Sequence, residues 1–71
     1  MDYTVIYEQT PNGCSAYVPD LPGCVAAATT RREVARLIAS AIRVHLEAMR
    51  EDGFEVPSPT TRADTVRVAA R

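Results

Sequence analysis

Seventy-one residues make a single domain, 1–71, and a chain of that size buries only about 60% of the surface its unfolded form exposes, so it is marginal alone and leaves room for help from a second chain. A formal net charge of −1 excludes a global electrostatic drive toward nucleic acid or membrane, although all eight basic residues are arginine. No apolar run approaches the ~20 residues that span a bilayer, and the start of the chain lacks the sections of a signal peptide, which predicts a cytoplasmic protein.

The first predicted strand covers Tyr3 to Gln9, where β-branched and aromatic residues dominate and alternate. Thr10-Pro11-Asn12-Gly13 stops it. Asn-Gly is a strong hairpin signal, because both residues tolerate positive φ, and it predicts an antiparallel return over Cys14 to Val18. With Asn12 and Gly13 as the turn, Gln9 pairs with Ala16 and Tyr7 with Val18. One face then collects Tyr3, Val5, Tyr7, Cys14, Ala16 and Val18, and the other Thr4, Ile6, Glu8, Ser15 and Tyr17. The first set is the better core.

Pro19 and Pro22 cannot donate to a ladder, so the second strand ends by Val18, and Gly23 permits the turn into a short third strand over Cys24 to Ala28. Cys14 then lies opposite the region of Ala28 and does not face Cys24. Both cysteines read as reduced, buried thiols, and their spacing of ten matches no zinc signature.

Thr30 with Glu33 three residues later makes a capping box, which opens a helix predicted over Arg31 to Asp52. Val34, Leu37, Ile38, Ala41, Ile42, His45, Leu46 and Met49 recur at helical spacing and form one broad apolar face. Arg36, Ser40, Arg43, Glu47 and Arg50 form the opposite stripe, and Gly53 is placed to end the helix in a left-handed conformation. Phe54 to Pro59 reads as an extended connector, and Thr65-Val66-Arg67-Val68 as one last short strand. The predicted fold class is therefore α+β: a three-stranded antiparallel meander, one long helix packed on one sheet face, and a short final strand.

Catalytic chemistry is poorly supported by these residues. The nine acids are spread through strand, turn, helix and tail, with Glu33 read as a cap and Glu47 as a partner of Arg43. His45 is the only histidine and sits at the margin of the apolar helix face, where a half-buried structural role is the simpler reading. No serine or cysteine can be assigned to it as a nucleophile, and no phosphate loop or dinucleotide fingerprint exists. The arginine stripe, at seven-residue intervals, reads as a solvated face interrupted by acids. No catalytic, cofactor-binding or metal-ligating residue is assigned.

Taken in order and spacing, several segments resemble the antitoxin domain of the HicB family. They are Tyr3-Thr4-Val5-Ile6, the Asn12-Gly13 hairpin with Ser15-Ala16-Tyr17-Val18, Pro19-Asp20-Leu21-Pro22-Gly23-Cys24, Thr30 to Ala35, Ala41 to Glu47, and Glu51-Asp52-Gly53 leading into Val56-Pro57-Ser58-Pro59. The resemblance implies a partly degenerate ribonuclease H-like fold with sheet order 3-2-1-4, and a protein that occludes a small ribonuclease toxin of the HicA type without catalysis of its own. Many family members continue into a helix-turn-helix or ribbon-helix-helix domain, for which the twelve residues after Pro59 are too few, so no DNA-binding domain is expected within this chain.

Occlusion needs a complementary surface. The exposed acids Glu8 and Asp20 are the candidates to face basic residues of a toxin, with Ile6 and Tyr17 as candidate apolar anchors. The uncovered sheet face or a strand edge predicts a homodimer or higher oligomer. Two other readings remain open at this point: a stand-alone oligomeric or regulatory protein without a toxin, and a residual nuclease.

Overall fold

A computed structural model describes residues 1–70 of the chain. Three strands, β1 (Ile6–Thr10), β2 (Gly13–Tyr17) and β3 (Val25–Ala28), precede one helix, α1 (Arg31–Glu51). The strands form an antiparallel sheet in the order β1-β2-β3, and the helix packs over β2 and β3. Among the described residues no strand follows the helix. The expected strand at Thr65 to Val68, and with it the 3-2-1-4 order, is absent; that segment lies open, with Val66 81% and Val68 79% exposed.

The hairpin differs from its predicted register by two residues. Gln9 pairs with Cys14 and Tyr7 with Ala16, so Pro11 and Asn12 form the turn. Pro11 holds a negative φ, and neither Asn12 nor Gly13 takes a positive one, which excludes the mirror-image turn that Asn-Gly signals. Gly13 instead belongs to the ladder. A Cβ there would collide with the Ala28 carbonyl oxygen, so glycine is required by the close approach of the end of β3. A slip of two preserves side-chain parity, and the predicted division of the faces therefore stands.

β1 begins at Ile6 and not at Tyr3. Extended further, its ladder would bring Thr4 opposite Pro19, which has no N–H and already belongs to a turn. The chain from Val18 to Cys24 is two consecutive turns. Leu21 N–H donates to Val18 O (3.0 Å), Cys24 N–H to Leu21 O (3.0 Å), and Val18 N–H to Cys24 O closes the loop at 3.2 Å. Each proline occupies the first central position of its turn, and Gly23, at φ +86°, supplies the left-handed residue after Pro22 that a type II turn demands. Between the two turns Leu21 points inward and is fully buried. The two-proline motif is thus a rigid frame that drives one leucine into the core.

Cys14, Ala16, Val18, Leu21, Cys24, Val34 and Ile38 form that core. Cys14 lies opposite Ala28, as expected, and both thiols are free and buried. The helix starts where its cap predicts: Thr30 Oγ1 accepts from Glu33 N–H at 3.1 Å. It ends at Glu51, with Gly53 at φ +78°, Phe54 N–H donating to Met49 O (2.8 Å) and Gly53 N–H to Arg50 O (3.1 Å), the paired bonds of a Schellman motif. Thr30→Ala is expected to lower stability by about 1 kcal/mol, read as a lower denaturant midpoint at unchanged slope. An unchanged midpoint would remove the cap from the account of this helix.

The apolar helix face is narrower than its periodicity suggests. Val34 and Ile38 are buried, Ala41, Ile42, His45, Leu46 and Met49 are half-buried, and Leu37 is exposed at 41%. For the residues beyond Ile38 the reason is reach: 21 helical residues rise about 31 Å, whereas strands of four or five residues cover about half of that. Tyr3 and Val5 add to the core from the segment that precedes β1.

Candidate partner-binding surface

The ladder sorts the sheet into two faces. Tyr7, Ala16, Ala26, Cys14 and Ala28 point toward the helix layer, where small side chains let it approach. Ile6, Tyr17 and Val25 stand directly opposite one another on the other face, one from each strand, and Glu8, Ser15 and Ala27 form the next row. No described element covers this second face: Tyr17 is 38% and Val25 64% exposed, and Glu8 is exposed at the β1 side. An isoleucine, a tyrosine and a valine thus stand side by side at the surface, rimmed by a carboxylate, with the composition that anchors of protein interfaces share.

Three of the four residues singled out from sequence, Ile6, Glu8 and Tyr17, are thereby brought together. Asp20 is not among them. It sits half-buried in the first proline turn and faces the chain's own tail: Oδ2 accepts from the N–H groups of Thr60 (2.9 Å) and Thr61 (3.0 Å), and Oδ1 from their hydroxyls at 3.2 and 2.7 Å. Thr4 Oγ1 donates to Thr61 O at 2.6 Å, and the Tyr3 hydroxyl donates to Pro57 O, so the tail is fixed beside the start of β1. Val25 was missed by sequence reasoning. Its signal was present, since the pairing of Cys14 with Ala28 sets Tyr17 against Val25 in the same register.

The hydroxyl of Thr61, then its amide, with the two Thr60 donors added, hold the Asp20 carboxyl down at about 2 from an ordinary 3.8, against a smaller opposing effect of burial. A depressed acid stabilises the fold in its charged form. The contribution is therefore whole above pH about 4 and is lost as the pH falls through about 2. The Thr60 and Thr61 amide resonances are expected to move together over that window, and Asp20→Asn is expected to release them at neutral pH. Amides indifferent to both changes would dissolve the clamp.

Elsewhere the side chains offer little chemistry. Burial pushes the Cys24 thiol up, away from the reactive thiolate. Arg31 lies 3.4 Å over the Tyr7 ring and shields the inner side of β1. Arg36, Arg43 and Arg50 are exposed on the helix exterior, and the Arg43 guanidinium donates to Ser40 Oγ (3.2 Å), where Glu47 had been expected as its partner. Among the described residues no three of His, Cys, Asp and Glu converge to hold a metal ion, and no helix is long and apolar enough to cross a membrane.

Residues 3–69 match the family described as HicB_like antitoxin of bacterial toxin-antitoxin systems. An uncharacterised 14.9 kDa protein of Haemophilus phage HP1 is 39% identical over 57 residues, a match covering 80% of this chain but only 43% of the phage protein. A UPF0150 protein of Thermoplasma acidophilum is 33% identical over 67 residues, covering 93% of this chain and 97% of that relative. Among solved structures, a chain of a HicA3 and HicB3 toxin-antitoxin complex superposes with a TM-score of 0.71 at 33% identity, over 84% of this chain and 70% of that one.

Proposed function

Since the chain belongs to the HicB-like antitoxin family, we propose that it works as a non-catalytic antitoxin in the cytoplasm, binding and occluding a HicA-type, mRNA-cleaving toxin. The observation that carries the reading is the row of half-buried Ile6 with exposed Tyr17 and Val25, and Glu8 beside it. Likeness to a chain from a HicA3 and HicB3 complex supports the class of partner.

Masking requires two properties of such a surface. Apolar side chains must already be fixed, so that association orders few rotamers, and the rim must complement the charge of an RNA-binding face. Three hydrogen-bonded strands supply the first, and Glu8 the second. Asp20 acts one step removed, holding the tail beside the sheet. DNA recognition is assigned to none of these residues, and the antitoxin is proposed to act as a homodimer or larger assembly.

Co-expression with a small basic ribonuclease encoded beside this protein is expected to restore growth, and the purified pair to form a complex that weakens as added salt screens the rim. The protein alone is expected to leave RNA intact with or without magnesium or manganese. Failure of every neighbouring ribonuclease to bind would end the antitoxin reading, and metal-dependent cleavage abolished by a carboxylate substitution would replace it with a nuclease.

A further inference from the structure

The segment beyond Thr61 has the chemistry of a strand and, among the described residues, no strand partner. Thr65-Val66-Arg67-Val68 alternates polar and β-branched apolar side chains, a pattern that suits a half-buried strand. Its two valines are instead 81% and 79% exposed. The segment is nonetheless fixed at its root, through the four bonds to Asp20 and the bond from Thr4 to Thr61 O. The radius of gyration is 14.3 Å, against about 11 Å for a compact chain of this length. An anchored arm thus extends away from the body.

β1 is the complementary defect. It is an outer strand of the sheet, one side of its backbone is unpaired, and the helix packs on β2 and β3, reaching β1 through Arg31 over the Tyr7 ring. On its inner face Tyr7 is sheltered by the Arg31 guanidinium and Gln9 is exposed. An open edge of this kind accepts an added strand.

We propose that residues 62–70 are an exchange arm that adds as a strand to the β1 edge of a second copy, with the second arm returned to the first, so that the dimer closes on a two-fold axis. This deepens the homodimeric part of the proposed function; it shares Glu8 with the proposed toxin surface, and its test needs no toxin. Charge decides which way the arm lies. With Val66 and Val68 on the inner face beside Tyr7, Arg67 emerges on the open face where Glu8 stands exposed. The reverse orientation would press Arg67 against Arg31 and set the valines on the open face, with no cation for Glu8. A second copy therefore supplies cover to two apolar side chains, a strand to an unpaired edge and a cation to a carboxylate.

The test uses the full chain without a toxin. Light scattering at about 100 µM is expected to give a dimer. In a sample mixed from isotope-labelled and unlabelled protein, contacts between copies are expected to join the Val66 and Val68 methyls to the Tyr7 ring. Val66→Asp with Val68→Asp is expected to weaken the dimer roughly tenfold or more, while circular dichroism stays helical because both sites are exposed in the single chain. Arg67→Glu is expected to weaken it less, and Glu8→Arg in the same chain to restore it. A monomeric parent, a dimer that survives both valine substitutions, or contacts that pair the two arms with each other and leave Tyr7 untouched would each overturn the exchange. None of those results bears on whether a toxin binds.

Discussion

Ile38→Ala is expected to destabilise the chain by about 2–5 kcal/mol, which for a domain of this size approaches its whole stability of about 4–10 kcal/mol. Ile38 is 2% exposed and shares the core with the fully buried Val34 and Leu21. Truncation there removes apolar area and leaves a cavity that a rigid turn on one side and a sheet on the other cannot collapse to fill. Leu37→Ala, one residue earlier, is expected to cost under about 1 kcal/mol, because that side chain is already 41% exposed. Urea denaturation of the two variants beside the parent measures the contrast. Equal losses would mean that Leu37 is buried in solution, by another copy or by a different seating of the helix.

That contrast also marks how far the sequence could be read. Helical periodicity placed Leu37 and Ile38 on one apolar face, and both do lie toward it. What separates them is the angle around the helix: one residue's step of about 100° carries Leu37 to the margin of the face that the three strands cover. Local chemistry was legible where its consequence is local: Thr30 as cap, Gly53 as stop, Gly23 in its turn, and the alternation that sends Tyr17 to one face and Ala16 to the other.

Where a residue's role is set by a distant neighbour, the sequence misled. Gly13 looked like a turn residue but is held to glycine by the Ala28 carbonyl. Asp20 looked like a free acid but is engaged by hydroxyls and amides forty residues further on. Thr65 to Val68 carries strand propensity, yet a strand exists only with a partner to share its hydrogen bonds, and within the single chain none is in place. Of the candidate surface, Ile6, Glu8 and Tyr17 followed from alternation alone, whereas Val25 needed the third strand's register.

The second large effect concerns that surface. Ile6→Ala combined with Tyr17→Ala is expected to weaken toxin binding about 100-fold or more and to abolish growth rescue, because anchors at the centre of an interface commonly contribute about 2 kcal/mol each. The two side chains are cross-strand neighbours, so their effects will not add, and the double variant is the informative one. Glu8→Arg is expected to act differently, slowing association and removing its salt dependence, since a rim charge steers encounter more than it holds the complex. Arg36→Ala with Arg43→Ala, on the exposed helix exterior, is expected to leave both affinity and rescue unchanged. Tyr17 is already partly exposed, and the thermal midpoint of each variant shows whether the fold has survived. A folded Ile6→Ala/Tyr17→Ala protein that still binds the toxin like the parent would move the interface off the open sheet face; loss of binding in the arginine variant instead would place it on the helix.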